Sequence, residues 1–155
     1  MDEREFSQRA LSCARRLYGV AYLILGHDAD CEDAVQEALL RAWAARDSLR
    51  EERYFETWLV RILINESRRL MSRRRPEVAL SDQDRPVEPE NPALRDAIRA
   101  LDIKFRLPVI LYYVQGFKVR EVARILHLPE GTVKWRLNQG RKLLRDLLNE
   151  EGMRV

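Results

Sequence analysis

The residues best suited to bind a ligand lie near the carboxyl end of the chain, where amide and basic side chains share one face of a helix predicted near 130–149. At 100° per residue this face is separate from an apolar face. Amides can form paired hydrogen bonds with adenine, while lysine and arginine bind phosphate or guanine. The pattern predicts a DNA-reading surface, with Arg136 at its edge as a phosphate contact. Its members are Lys134, Trp135, Arg136, Asn138, Gln139 and Lys142.

A short helix and a tight turn precede this surface. The helix predicted over 119–126 has an apolar face, His127 tolerates a left-handed backbone better than most residues, and Pro129 suits a first helical turn. Two helices joined in this way predict a helix-turn-helix whose second helix enters the major groove of DNA. The alternative is an ordinary helical hairpin with a charged outer face, in which Trp135 packs on the preceding helices.

A second candidate surface for nucleic acid lies on a helix predicted over 55–74. Four polar side chains, spaced four, three and four residues apart, line one stripe: Arg61, Asn65, Arg68 and Ser72. Three aromatic residues crowd the start of this helix: Tyr54, Phe55 and Trp58. Aromatic rings stack on unpaired bases and arginines follow phosphates, so the combination predicts a site for single-stranded or distorted DNA. Core packing is the alternative for the aromatics, and we expect at least one of the three to be buried.

A third candidate surface is acidic and belongs to a helix predicted over about 28–46. Its outer face carries two carboxylates, an amide and a leucine: Asp33, Gln36, Glu37 and Leu40. An exposed leucine beside carboxylates favours a protein partner with a basic helix. The alternative is a solvated acidic face with one surface leucine, which is common on any protein.

The composition fits a helical protein with segregated charge. The 155 residues are 46% hydrophobic and 34% charged, with only six glycines and six prolines, which favours helices over a turn-rich sheet. The net charge of +3 is too small to prove a nucleic-acid partner. However, residues 61–75 hold six arginines and one glutamate, and residues 27–37 hold five acids without a lysine or arginine. Separate blocks of opposite charge predict two different partners, with solvated helix faces as the alternative.

The sequence offers no pattern typical of an enzyme or a metal site. His27 and His127 fall in different predicted units, and no glycine-rich phosphate loop or nucleophile motif occurs. Cys13 and Cys31 lack metal-ligand spacing and are expected to be small core residues. We therefore predict no catalysis, no cofactor, no metal and no small-molecule substrate. The start of the chain is unlike a signal peptide and no apolar run is long enough to span a bilayer, so we expect a cytosolic protein.

The predicted elements that position these surfaces make an all-α protein of two small helical domains. Further helices are expected near 4–25, 93–101 and 105–115, and Asp28 or Asp30 is expected to cap the second helix. Residues 76–92 hold four prolines and five acids, which is typical of an acidic linker with little regular structure. The predicted boundaries are 1–75 for the first domain, 76–92 for the flexible linker and 93–150 for the second domain.

Three linked motifs resemble the extracytoplasmic-function (ECF) sigma factors, the smallest branch of the bacterial sigma-70 family. They are DAVQEALLRAW (33–43), YFETWLVRILINESRRLMSRRR (54–75) and LPVILYYVQGFKVREVARILHLPEGTVKWRL (107–137). They cover nearly all of the chain in the family's order. The resemblance implies a dissociable subunit that binds core RNA polymerase and directs promoter-specific transcription initiation. The first domain would correspond to the family's region two and the second to region four.

The resemblance also implies a role for each surface. Asp33, Gln36 and Glu37 match the motif that docks on the polymerase. The helix with Asn65, Arg68 and Arg69 matches the one that reads the promoter element near minus ten, and Tyr54, Phe55 and Trp58 match the melting segment. The second helix of the helix-turn-helix would read the element near minus thirty-five. The linker would run through the polymerase channels, and an anti-sigma factor at the membrane would control the protein in a stress or envelope response.

This sequence departs from the family pattern at three positions of the helix-turn-helix. His127 stands where the family often has glycine, Trp135 where it has a small residue, and Gln139 where it has a basic residue. These changes leave the fold expected but the preferred upstream sequence open. The competing hypothesis is a stand-alone helix-turn-helix regulator that binds a palindromic target and uses its first unit for dimerisation or sensing.

Overall fold

The computed structural model describes residues 1–73 and 91–153, with side chains through Glu150. The chain divides into two compact units, Met1–Val87 and Glu88–Val155. In its described residues every regular element is helical, which confirms the predicted all-α class. Most of the predicted linker, residues 76–90, lies outside the described residues. No helix among the described residues is both long and apolar enough to cross a bilayer.

The first unit contains three long helices, α1 (Glu3–Leu25), α2 (Asp28–Ala44) and α3 (Phe55–Arg73). Asp2 begins α1 because its carboxylate accepts the Glu5 amide hydrogen at 2.8 Å. Gly26 ends α1 in a left-handed conformation with φ of 78°, which glycine adopts without strain. The cap of α2 is His27, which has extended backbone and no side-chain cap bond. The prediction that Asp28 or Asp30 caps this helix is therefore wrong, because both lie inside its first turn.

The three helices share one apolar core. Leucines from α1 and α3 are fully buried, among them Leu17, Leu59 and Leu63, and each contributes about 1.5–3 kcal/mol by leaving water. On α2 the buried side chains are small, with Ala34, Ala38 and Ala42 fully enclosed, which lets the neighbouring helices approach closely. Both cysteines are buried, which confirms their predicted place in the core.

Two short 3₁₀ turns, Arg46–Ser48 and Glu52–Tyr54, connect α2 to α3. The second turn leads directly into Phe55, the first residue of α3. Tyr54 therefore lies in the connection itself, whereas Phe55 and Trp58 lie in the first turn of α3.

The second unit contains α4 (Pro92–Ala100), α5 (Ile103–Val109), α6 (Val119–Leu126) and α7 (Glu130–Met153). Asn91 caps α4 by accepting the Ala93 amide hydrogen at 3.0 Å, and Pro92 occupies the first helical turn. Both residues, which were counted with the predicted linker or its end, belong to the start of α4.

The helix predicted over 105–115 has a more complex form. It begins as α5, and at Ile110–Val114 it widens into a π-helical turn. There the Gln115 amide donates to the Ile110 carbonyl at 2.9 Å, five residues back. Pro108 lies inside α5 and has no amide hydrogen to donate, so the regular bonding pattern is already interrupted before the turn. Gly116, with φ of 77°, then reverses the chain toward α6.

Candidate nucleic-acid and protein interfaces

The helix-turn-helix forms as predicted from α6, a tight turn and α7. His127 ends α6 with φ of 57° and ψ of 46°, which confirms the left-handed backbone expected at this residue. The Leu128 amide donates to the Ala123 carbonyl at 3.0 Å, and the Val133 amide donates to the Pro129 carbonyl at 3.1 Å. Pro129 lies one residue before α7 and not within its first turn. These bonds fix the angle at which α7 leaves the turn.

A close crossing with α5 holds α7 in place. A Cβ atom built on Gly140 would lie 2.9 Å from Cγ2 of Val109, closer than real carbon atoms approach. Val133 and Leu137 on the same face are buried. The absence of a side chain at Gly140 therefore lets α7 lie against α5, so its opposite face is presented to solvent.

The predicted DNA-reading residues of α7 all lie at or near the surface. Lys134, Trp135 and Lys142 are exposed, and Arg136, Asn138 and Gln139 are half-buried. Trp135, the aromatic residue of this group, has 56% of its surface accessible to solvent. Its ring lies 6.2 Å from that of Phe105 on α5, with 45° between the ring planes. Trp135 thus rests on α5 at one edge and faces solvent elsewhere.

Sequence reasoning missed Arg141, which organises the middle of this face. Its Nη2 donates to Oδ1 of Asn138 at 3.1 Å, and its Nη1 donates to the hydroxyl of Tyr113 at 3.4 Å. Tyr113 belongs to the π-helical turn and is exposed, with its ring 4.9 Å from that of Tyr112. The spacing of three residues between Asn138 and Arg141 was a signal that they are neighbours on a helix.

At the start of α3 the structure corrects one predicted contact. Phe55 is only 4% exposed, and its ring packs 5.7 Å from Phe6 and 5.9 Å from Trp58. It is a core residue, as the packing alternative expected for at least one of the three aromatics, so its ring is not available to a base. Tyr54 and Trp58 are half-buried, and the guanidinium of Arg53 lies 4.8 Å from the Tyr54 ring centre.

The start of α3 is tied to α1 by two ion pairs that sequence reasoning did not find. Arg9 binds both the carboxylate and the backbone carbonyl of Glu52, at 2.9 and 3.1 Å. Arg16 pairs with Glu56. The paired residues lie about forty positions apart in sequence, so no local pattern announces them. These contacts position the segment that carries Tyr54 and Trp58.

The predicted polar stripe of α3 faces outward. Asn65, Arg68 and Ser72 are exposed and Arg61 is half-buried. Ser72 uses its hydroxyl to donate to the Arg69 carbonyl at 2.9 Å, within its own helix. Arg69 is also exposed, and its side chain lies beside the acidic group described next.

A buried carboxylate links α3 to α2. Glu66 is 5% exposed, and its Oε1 lies 2.7 Å from Nε of Arg41. The same Arg41 nitrogen lies 3.2 Å from Glu37, and Arg69 lies 3.8 Å from the other Glu66 oxygen. Arg41 is therefore shared by a buried and an exposed carboxylate. Sequence reasoning counted Glu66 only as a minor offset to the arginines around it.

The acidic surface of α2 is exposed as predicted. Asp33, Gln36 and Glu37 are exposed, and Leu40 is 66% exposed. An apolar groove between α1 and α2 adjoins it, bordered by Leu40 and by Leu11, which is 75% exposed. Leu11 and Leu40 therefore make a pair of exposed leucines beside the acidic surface.

Two shifted pKa values mark where burial acts on polar groups near these surfaces. Burial raises the pKa of Tyr18 in the groove, and the negative charge of Glu32 adds to this effect. The Tyr18 hydroxyl therefore stays neutral. Burial also raises the pKa of Cys13, with a further contribution from Glu56, which keeps this thiol protonated.

Comparison with known proteins adds independent findings. Residues 10–77 match the model of Sigma-70 region 2, and residues 92–144 match the model of Sigma-70, region 4. The ECF RNA polymerase sigma factor SigW of Bacillus subtilis is 29% identical over 157 residues, which cover 87% of this chain and 84% of SigW. The ECF RNA polymerase sigma factor SigM of Mycobacterium tuberculosis is 31% identical over 154 residues, which cover 95% of this chain and 79% of SigM.

Among solved structures, the sigma factor RpoE in complex with the anti-sigma factor NepR from Bartonella quintana is similar to this chain. The TM-score is 0.82 at 26% identity, over 94% of this chain and 98% of that one. Both sigma regions thus match in the order that the sequence motifs predicted, and relatives above 30% identity cover nearly the whole chain. This protein belongs to the ECF sigma factors, a branch of the sigma-70 family of RNA polymerase subunits.

Proposed function

We propose that this sigma factor binds core RNA polymerase through the acidic surface of α2 and directs it to promoters through α3 and α7. The observation that carries the proposal is the outward display of three chemically distinct surfaces. One is acidic with exposed leucines, one is a polar and basic stripe near aromatic rings, and one is the basic, amide-bearing face of a helix-turn-helix. These surfaces suit the two kinds of partner that a sigma factor joins, the core polymerase and the promoter DNA.

The polymerase contact is assigned to Asp33, Gln36, Glu37 and Leu40. Their exposure and the adjoining apolar groove suit a basic amphipathic helix, since carboxylates attract its cations and the leucines cover its apolar side. Arg41 lies between Glu37 and Glu66 and holds Glu37 at the edge of this surface.

The downstream promoter contact is assigned to α3 and the residues that lead into it: Tyr54, Trp58, Arg61, Asn65, Arg68, Arg69 and Ser72. The exposed arginines suit phosphates, and the half-buried rings of Tyr54 and Trp58 suit bases that have left the duplex. Phe55 is left out of this assignment because it is buried. Its ring packs against that of Trp58, so its role is structural.

The upstream promoter contact is assigned to α7. Lys134, Arg136 and Lys142 suit phosphates, and Trp135, Asn138 and Gln139 suit base edges. The duplex DNA would lie along the face opposite the Gly140 crossing. We further propose that the protein acts in the cytoplasm without catalysis of its own, the chemistry being that of the polymerase.

We also propose control by an anti-sigma factor. The similar RpoE structure contains the anti-sigma factor NepR, and the groove between α1 and α2 offers two exposed leucines. A partner that covers these leucines and the acidic surface would exclude the polymerase by occupying its site.

The test of the proposed function is binding to sigma-free core RNA polymerase in size-exclusion chromatography. The wild-type chain is expected to comigrate with the polymerase. The Asp33→Arg, Glu37→Arg double variant is expected to lose at least tenfold in affinity, because it places like charges against a basic partner. Glu32→Arg is the matched control: it reverses an exposed charge on the same helix outside the assigned surface. Unchanged binding of the double variant would contradict the assignment, and failure of the folded wild type to comigrate would favour a stand-alone regulator.

A further inference from the structure

Trp135 occupies an unusual place for a large apolar side chain. It lies in the second turn of α7, two residues after buried Val133 and two before buried Leu137, so it points away from the core. More than half of its surface meets solvent. Its immediate neighbours on this face are polar or charged, with Lys134 exposed and Asn138 half-buried one turn further on.

The indole does not hang freely, because α5 supports it. The ring of Phe105 lies 6.2 Å away, and Nζ of Lys104 lies 5.0 Å from the centre of the Phe105 ring. The phenyl ring of Phe105 thus lies between the Lys104 ammonium group and the tilted indole of Trp135. A ring held in this way loses little conformational freedom when it meets a partner, which favours binding.

Asn138 adds a directional hydrogen-bonding group beside the indole. Residues three apart on a helix are neighbours, so Asn138 and Trp135 lie side by side on the outer face of α7. Its Oδ1 accepts a hydrogen bond from Arg141 at 3.1 Å. The rest of the amide is an NH₂ group, which only donates. The pair therefore presents an apolar surface next to a hydrogen-bond donor.

One base in the major groove offers the complement of this pair. Thymine presents its C5 methyl group beside the O4 acceptor, whereas cytosine presents a donor without a methyl group, and the purines present no methyl group. We propose that Trp135 and Asn138 together read a thymine in the upstream promoter element. Trp135 covers the methyl group and Asn138 donates to O4. This inference rests on the proposed upstream role of α7 and names the base that α7 selects.

The test uses holoenzyme reconstituted from the full chain and core RNA polymerase, on a promoter selected with that same holoenzyme. Each thymine of the upstream element is replaced in turn by deoxyuridine, which lacks only the C5 methyl group. At one position the wild-type holoenzyme is expected to bind about three- to fivefold more weakly, the effect of losing one buried methyl group. The Trp135→Ala holoenzyme is expected to bind both forms of the promoter equally, and Trp135→Phe is expected to show an intermediate loss.

Asn138→Asp tests the second half of the pair. The aspartate keeps an acceptor for Arg141 but removes the donor, so it is expected to lower the preference for thymine over cytosine at the same position about tenfold. Lys142→Ala is the matched control. It removes a phosphate contact and is expected to weaken binding to all upstream sequences alike.

Two outcomes would overturn the inference. The first is a wild-type holoenzyme indifferent to deoxyuridine at every thymine, and the second is a deoxyuridine effect that persists unchanged in Trp135→Ala. A promoter with a scrambled upstream element distinguishes a failure of the thymine assignment from a failure of the proposed function. If scrambling weakens promoter binding but deoxyuridine does not, only the thymine assignment fails. If scrambling has no effect, the upstream role of α7 fails and the inference fails with it.

Discussion

Each unit carries aromatic residues beside a basic helix face, but the two units place them differently. In the first unit Phe55 is buried at the start of α3, in a cluster with Phe6 and Trp58. In the second unit Trp135 stays largely exposed on α7 and touches a single ring, Phe105. The sequence signature is similar in both places. The first aromatic stabilises a core, and the second is presented to solvent.

The difference follows from the spacing between each aromatic and the buried stripe of its own helix. Phe55 lies four residues before Leu59 and eight before Leu63, so it continues the buried row. Trp135 lies two residues from both Val133 and Leu137, which places it on the opposite side of α7. An aromatic near a basic helix is thus a candidate for nucleic-acid binding only when it is out of register with the buried row.

The largest effect that separates the two aromatics is expected in stability. Phe55→Ala should lower the free energy of unfolding by about 3–5 kcal/mol, because it leaves a cavity in the core between α1 and α3. Trp135→Ala is the matched control and should change it by less than about 1 kcal/mol, since the indole is mostly exposed. Urea unfolding followed by circular dichroism measures both. Equal losses of unfolding free energy in the two variants would contradict the different roles given to Phe55 and Trp135.

The units also differ in the contacts that hold their helices together: in the first unit, the exposed Arg41 side chain pairs with the buried Glu66 carboxylate. Arg41→Ala should cost about 2 kcal/mol, because it leaves the enclosed Glu66 carboxylate with the more distant Arg69 as its ion-pair partner among the residues that the structure describes. Glu37→Ala removes the exposed partner of the same arginine and should cost less than about 0.5 kcal/mol. Thermal unfolding should therefore show a larger loss of stability for Arg41→Ala than for Glu37→Ala, and equal losses would contradict the role of Glu66 as a buried partner.

In the second unit the corresponding contact is apolar. Gly140→Ala should destabilise by about 1 kcal/mol, because the added methyl group overpacks against Val109 by more than the helix gains from alanine. The Gly140→Ala, Val109→Ala double variant should lose less unfolding free energy than the two single variants lose together, because Val109→Ala removes the clash. Salt should leave the Gly140→Ala effect unchanged. Strictly additive losses would show that the crossing is not the cause.

The smallest effect is expected for the ion pair that ties α1 to the connection before α3. Arg9→Ala should lower stability by about 0.5 kcal/mol at low salt and by less at high salt, since both partners are largely exposed. Arg15→Ala, an exposed arginine of the same helix, serves as control. The informative measurement is promoter opening by the reconstituted holoenzyme, which should slow with Arg9→Ala and recover in the Arg9→Glu, Glu52→Arg exchange. An unchanged rate of promoter opening with Arg9→Ala would show that the Arg9–Glu52 pair does not position the segment before α3.

Much of the fold could be predicted from local signals. Gly26 at the end of α1, the left-handed His127, and the apolar rows of α3 and α7 are each set by a few neighbouring residues. The cap of α2 was harder, because Asp28 and Asp30 both suit a cap by residue type, and only the extended backbone at His27 shows where the helix begins. The π-helical turn at Ile110–Val114 was not foreseen, since no sequence period distinguishes it from an α-helix.

The residues of the candidate surfaces also fall into those that local sequence predicts and those that it does not. A helical wheel was enough to place Asp33, Glu37 and Asn65 on outer faces, because each depends only on its own helix. The wheel was not enough to find the pairing of Arg41 with Glu66 or the hydrogen bond of Arg141 to Tyr113. Those contacts depend on which helix lies opposite.

The sequence alone determined the helical class, the two units, the outer faces of the helices and the family, because periodicity and motifs are local and repeat along the chain. Tertiary structure alone decided which charged and aromatic side chains remain free for partners. Arg9 meets Glu52 across 43 positions, and Phe55 meets Phe6 from another helix. Such pairs form only when packing brings distant segments together, and each pair that forms internally is no longer free to bind DNA or polymerase.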